Sequence, residues 1–140
     1  MSLSRQLLIL FGMSDIMGNI LLIIDDSEVV RTEVWAALEP TGLFDTCLEA
    51  GDGIEGYKLL LNNVISLVVC DVVMPGADGY KFLLLKRKAE PDKQEVPVIM
   101  LTSQSSVDTV VQTMNAGASD HVTKPFRAGE LVARVNTHLE

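Results

Sequence analysis

Ile20-Leu21-Leu22-Ile23-Ile24-Asp25-Asp26-Ser27 is the stretch on which the reading of this chain turns. Five consecutive aliphatic residues have the length of a strand covered on both faces, as in a parallel sheet sandwiched between helices. They run directly into two carboxylates and then into Ser27, a residue suited to capping a helix. From Asn19 onward the same alternation recurs, apolar runs of strand length followed by longer segments of helical period, which is the pattern of repeated βα units. Strands are expected at 20–24, 46–48, 67–70, 96–101 and 121–123. The first helix carries Val30, Val34 and Leu38 at four-residue steps and ends near Pro40 and Gly42. A second covers about 54–62 after the Gly51-Asp52-Gly53 turn, and a third, at 80–89, stacks Phe82, Leu83 and Leu85 before a break at Pro91. Ser105 and Asp108 resemble a capping box for a fourth helix that Gly117 closes, and 129–139 supplies a fifth. The expected fold class is α/β, a doubly wound parallel sheet of five strands with five helices.

Composition narrows the function. A chain of 140 residues fits one domain, and 48% hydrophobic against 21% charged residues is enough to build a core. The formal net charge of −8 would repel a nucleic-acid backbone or an anionic membrane surface, so neither is expected as a direct ligand. Cys47 and Cys70 lie in apolar runs without metal-type spacing, which fits a reducing cytoplasm rather than a disulfide scaffold. The apolar stretch 7–24 is interrupted by Gly12, Asp15, Gly18 and Asn19, against both a membrane span and a signal peptide. Residues 1–18 are expected to be a leader, disordered or a short amphipathic helix with Leu3, Leu7 and Leu10 on one stripe, and 19–140 the domain proper.

An open parallel sheet binds its ligand at the carboxyl ends of its strands. Those ends carry Asp25 and Asp26, Asp71, Thr102, and Lys124 followed by Pro125. Three carboxylates meeting in one cleft raise one another's pKa, so a cation is implied, and an all-oxygen, water-accessible cluster suits Mg²⁺. One divalent ion and the Lys124 ammonium would neutralise the three carboxylates, leaving room for a phosphoryl group. Asp71 is the natural nucleophile, able to form an acyl phosphate, on a strand followed by a loop containing Pro75, Gly76 and Gly79. Each residue alone has a plainer reading: Asp25 and Asp26 as a helix-start charge pair, Asp71 as a turn residue, Thr102 as a strand end, Lys124 as a solvated charge. Joint placement at four strand ends outweighs those readings. Cys70 should face away from the site into the core, and His138 has no metal partner in His121.

With those residues assembled, the sequence resembles the receiver domain of bacterial two-component response regulators over about 19–140. The resemblance rests on Asp25-Asp26 after an Ile-rich strand, on Asp71-Val72-Val73-Met74-Pro75-Gly76-Ala77-Asp78-Gly79, on the 97–103 strand ending in Thr102-Ser103, and on Lys124-Pro125-Phe126. It implies a flavodoxin-like strand order 2-1-3-4-5 and a cis Lys124-Pro125 bond. It further implies that Asp71 accepts a phosphoryl group from a histidine kinase or phosphotransfer protein, and that Asp26, Asp71 and the Val73 backbone carbonyl hold Mg²⁺ with Asp25 assisting through water. Lys124 would pair with the phosphoryl oxygens. Thr102 and the residue at 121 would form the switch, reshaping a face of the fourth helix, fifth strand and fifth helix that offers a homodimer contact. An output domain or target would lie outside this chain. Three departures stand out. His121 occupies a position usually Tyr or Phe, which suggests a pH-sensitive switch between pH 6 and 8. Val73 and Gln104 sit at variable positions that bear on phosphate lifetime. Arg127-Ala128 replaces a usual helix start.

Rival functions fit less well. A haloacid-dehalogenase-type hydrolase needs a second acid two residues after its nucleophile, where Val73 stands. A flavodoxin-type cofactor binder would find its phosphate repelled by Asp25 and Asp26. The domain is therefore expected to be a phosphoacceptor switch and not an enzyme. A degenerate receiver serving only as an interaction module is the alternative, although such domains usually lose the acceptor Asp or the Lys, and both are present.

Overall fold

The structure, a computed structural model, describes residues 18–103 and 107–139. Of the expected leader only Gly18 falls within that range, and the Ser105 cap lies outside the described residues. In chain order the elements are β1 (Ile20–Ile24), α1 (Glu28–Leu38), a 3-10 turn (Glu39–Thr41), β2 (Thr46–Ala50), α2 (Gly53–Asn62) and β3 (Leu67–Asp71). There follow α3 (Gly79–Arg87), α4 (Pro91–Gln94), β4 (Val98–Thr102), α5 (Val107–Asn115), β5 (Asp120–Thr123) and α6 (Ala128–His138). All pairings are parallel in the order β2-β1-β3-β4-β5. The chain therefore leaves β1 toward β2 on one side and returns to β3 on the other, and the reversal falls between β1 and β3.

Among the described residues there are six α-helices where five are expected. The extra one, α4, is a single turn opened by Pro91, where the sequence predicts only a helix break: a proline at the first helical position loses no hydrogen bond there. β4 starts at Val98 rather than at 96 because Pro97 has no N–H for the ladder, although its carbonyl still accepts from Val68. β2 runs on to Ala50, and β3 includes Asp71.

Alternation along the strands divides the core in two. Leu22, Ile24, Val68, Cys70, Val98 and Met100 face α2 and α3 and meet Leu60, Phe82 and Leu83. Leu21, Ile23, Leu67, Val69, Ile99, Leu101 and Val122 face α1 and α6 and meet Val34, Leu38, Leu131 and Val135. Each fully buried Leu, Ile or Phe contributes roughly 1.5–3 kcal/mol, and both faces of the central strands are paved with them. Cys70 lies in the first cluster, as alternation from the strand end requires.

Capping sets where helices begin. Ser27 Oγ accepts from the Val30 N–H at 3.3 Å, Asp52 Oδ1 from Glu55 at 2.8 Å and Asp78 Oδ1 from Lys81 at 2.9 Å. Arg127 precedes α6 without a side-chain cap bond, as its sequence suggests. That helix is instead tied at its other end, where His138 Nε2 lies 3.0 Å and Arg134 3.5 Å from Asp120 Oδ2, a partnership the sequence did not reveal. Gly79 is required by close approach: a Cβ there would stand 2.2 Å from the Asp71 carbonyl oxygen.

Two outcomes follow. Gly79→Ala should push the 72–78 loop off the end of β3 and destabilise the fold by about 1–3 kcal/mol, read as a lower denaturant midpoint. Lys86 is buried, with its ammonium donating to the Gln94 carbonyl, and burial lowers its pKa from 10.5 to about 8. The unfolded chain then binds more protons between pH 8 and 10.5, so this residue's contribution to stability rises with pH across that window. The stability of wild type relative to Lys86→Met should climb from pH 8 to 10.5, and a flat difference would refute the assignment.

Candidate functional site

The carboxyl ends of β1, β3, β4 and β5 bring their terminal residues together. Asp25 follows β1 and continues its ladder, its N–H donating to the Ala50 carbonyl at 3.0 Å. Its side chain is wholly buried: Oδ1 accepts from the Ser27 N–H at 2.9 Å and Oδ2 from Lys124 Nζ at 2.9 Å. Asp26, next in sequence, is exposed. Asp71 ends β3 and is 5% exposed, which leaves its carboxylate only a small opening. Its Oδ1 lies 3.3 Å from Lys124 Nζ and 3.4 Å from the Val73 N–H. Carboxylate oxygens of Asp25, Asp26 and Asp71 all fall within 4.8 Å of one another.

The electrostatics follow from this crowding. Burial, then the Asp25 charge, pushes the Asp71 carboxyl above its ordinary value, against the pull of Lys124 and the Val73 N–H. Burial works against the Lys124 ammonium as well, yet the hydrogen bond to Asp25 and the nearby Asp71 charge outweigh it, and its pKa is raised. One ammonium thus leaves negative charge uncompensated. Three hard oxygen donors, one of them open to water, form a donor set that fits a Mg²⁺-sized cation keeping part of its hydration.

Thr102 is the last residue of β4 and is buried, with its carbonyl accepting from the Lys124 N–H at 2.6 Å, so the fourth and fifth strand ends are locked together beside the acidic cluster. The Lys124-Pro125 bond is cis. His121 lies further down β5, half-buried on the α5 side, with Nε2 2.5 Å from Thr113 Oγ1. Thr113 Oγ1 is also 2.8 Å from the Thr109 carbonyl, which needs its hydroxyl proton, so the His121 ring presents Nε2–H. Burial lowers the His121 pKa, with Asp120 pulling the other way.

Of the residues singled out in the sequence, Asp25, Asp26 and Asp71 converge, Lys124 pairs with two of them, the Val73 N–H reaches Asp71, Thr102 joins Lys124 through the backbone, and His121 bonds Thr113 on α5. Arg31 was not singled out. Its guanidinium donates to the Asp25 carbonyl at 2.7 Å and to Glu49 at 2.9 Å, and the only sequence signal was a cation near the start of a helix, where anions are favoured.

Comparison with known proteins agrees with this geometry. Residues 21–136 match the family model described as the response regulator receiver domain. The phosphate regulon transcriptional regulatory protein PhoB of Pseudomonas aeruginosa is 34% identical over 122 residues, covering 87% of this chain and 52% of that protein. The chain thus spans about half the length of the curated relatives it matches. Among solved structures, the signal receiver domain of a signal transduction histidine kinase from Syntrophus aciditrophicus superposes with a TM-score of 0.76 at 32% identity, covering 86% of this chain and 89% of that one. The receiver domain of the Francisella response regulator 1452 gives 0.74 at 30% identity, covering 85% and 94%. With two-thirds of its length and more inside that model, this chain belongs to the response regulator receiver domain family.

Proposed function

We propose that this chain is a phosphoacceptor switch in which Asp71 takes a phosphoryl group from a phosphohistidine on a histidine kinase or phosphotransfer protein. The observation that carries this reading is the convergence of Asp25, Asp26, Asp71 and Lys124 at the point where strand order reverses. A new O–P bond forms at the Asp71 carboxylate while the P–N bond of the donor breaks, its nitrogen keeping the electron pair. Asp25, Asp26, Asp71 and the Val73 carbonyl would hold Mg²⁺, which offsets the charge of the cluster and of the incoming phosphoryl oxygens. Lys124 holds its ammonium at the Asp71 oxygen and is poised to follow those oxygens as charge shifts onto them.

Thr102 and His121 carry the response. Thr102 lies at the neighbouring strand end, within the wall that would feel the added phosphoryl group, and His121 links β5 to α5 through Thr113. Val107, Val111 and Met114 stand exposed on α5 at spacings that share one face, which supports a docking surface or homodimer contact formed with β5 and α6. Free Cys47 and Cys70 fit a reducing cytoplasm, and among the described residues no helix is long and apolar enough to cross a membrane. The output is a further domain or a separate target, and the role is regulatory rather than that of a turnover enzyme.

Incubated with Mg²⁺ and a small phosphodonor, wild type should gain one phosphoryl group by intact mass and Asp71→Asn none; labelling of the Asn variant would sink the assignment. Lys124→Ala should be labelled at least tenfold more slowly while remaining folded, since Asp25 and Asp71 then face each other without an ammonium. The pH sensitivity expected of His121 shifts to acid. With its pKa lowered in the fold from 6.5, the inward ring is favoured above that pH and loses stability as pH falls below it. Thermal scans of wild type against His121→Tyr should diverge below pH 6.5, and parallel curves there would remove the proton from the switch.

A further inference from the structure

Arg31 is the fourth residue of α1, at the end of the helix whose dipole disfavours a cation, and the last turn of α1 holds no basic residue. Local electrostatics alone would place such a side chain elsewhere. Its guanidinium is largely covered, at 19% side-chain exposure, and its two arms go to different strands: one to the Asp25 carbonyl after β1, one to Glu49 on the edge strand β2. We propose that Arg31 is a positioning residue for the acidic pair, clamping the peptide that joins Asp25 to Asp26 so that both carboxylates face Asp71.

The effect would be carried by that peptide plane. A peptide unit is rigid, so holding the Asp25 oxygen at 2.7 Å restrains the orientation of the plane from which the Asp26 Cα leads on. The other side of Asp25 is already pinned, because its N–H is bonded to the Ala50 carbonyl and its carboxylate to Ser27 and Lys124. Asp26 is exposed, and the clamp on the preceding carbonyl is what orders it from behind. Glu49 in turn orients the guanidinium, whose planar fork sends one N–H to the carbonyl and another to the carboxylate at a fixed angle.

This inference rests on the reading of Asp25, Asp26 and Asp71 as a divalent-cation site, and the sign of one measurement tests it. A guanidinium near that site repels an incoming cation, so if Arg31 acted by charge alone, Arg31→Met would tighten Mg²⁺ binding. Positioning requires the opposite. By calorimetric titration of the full chain with MgCl₂, Arg31→Met should weaken Mg²⁺ binding about tenfold. Arg31→Lys, which keeps the charge and loses the fork, should weaken it in the same direction. Glu49→Gln, which keeps an acceptor for the guanidinium, should stay within about threefold of wild type. Thermal unfolding without Mg²⁺ verifies that each variant is folded at the titration temperature. Binding by folded Arg31→Met that equals or exceeds wild type overturns the proposal, as does full recovery in Arg31→Lys. Failure of wild type itself to bind Mg²⁺ overturns the cation site beneath it, and is told apart because no substitution then changes the titration.

Discussion

Asp25 and Asp71 are buried side by side with a single ammonium between them. Burial, then the Asp25 charge, raises the Asp71 pKa even with Lys124 present. The fold supplies the compensation in pieces from different strands: a cation from the end of β5, a backbone N–H from the loop after β3, and another from the start of α1. What is left over is charge that a divalent cation can answer. The cluster thus carries an excess of negative charge that an added cation would relieve.

The rest of the molecule keeps that cluster in register. Parallel pairing carries Ile24, Cys70 and Met100 across the sheet at one level, so the residues just beyond them emerge on one edge. Gly79 lets the loop after β3 fold back onto the Asp71 carbonyl, and the Lys124 N–H ties the last strand end to Thr102. Buried aliphatic residues on both faces hold the strands rigid, while α5 is a helix with apolar residues left toward solvent.

Residues 21–136 match the receiver family, and within that span carboxylate oxygens of Asp25, Asp26 and Asp71 come within 4.8 Å of one another. His121 is where this chain has its own character: its ring is hydrogen-bonded to Thr113 and carries a pKa lowered by burial, so its behaviour belongs to the acid side of neutrality.

Strand identity, the doubly wound class and the chemistry-bearing residues were legible in the amino-acid sequence, because aliphatic runs of five report burial on both faces and because Asp, Thr and Lys at strand ends are local facts. Strand ends shifted by one or two residues, as at Pro97 and Ala50, since ladder hydrogen bonds depend on the neighbouring strand. The one-turn helix at Pro91 and the pairing of Asp120 with His138 were hidden for a related reason, because a proline can open a turn as readily as break one and ion pairs form between segments distant in sequence. Arg31 is the clearest case: in the sequence it is one more surface-type cation on an amphipathic helix, and only the approach of β2 to the end of β1 turns it into a clamp. The order of amino acids was enough to say which side chains stand at which strand ends. The tertiary structure alone decided which oxygen faced which nitrogen, because a hydrogen bond or charge pair is set within tenths of an ångström by the packing of every layer around it.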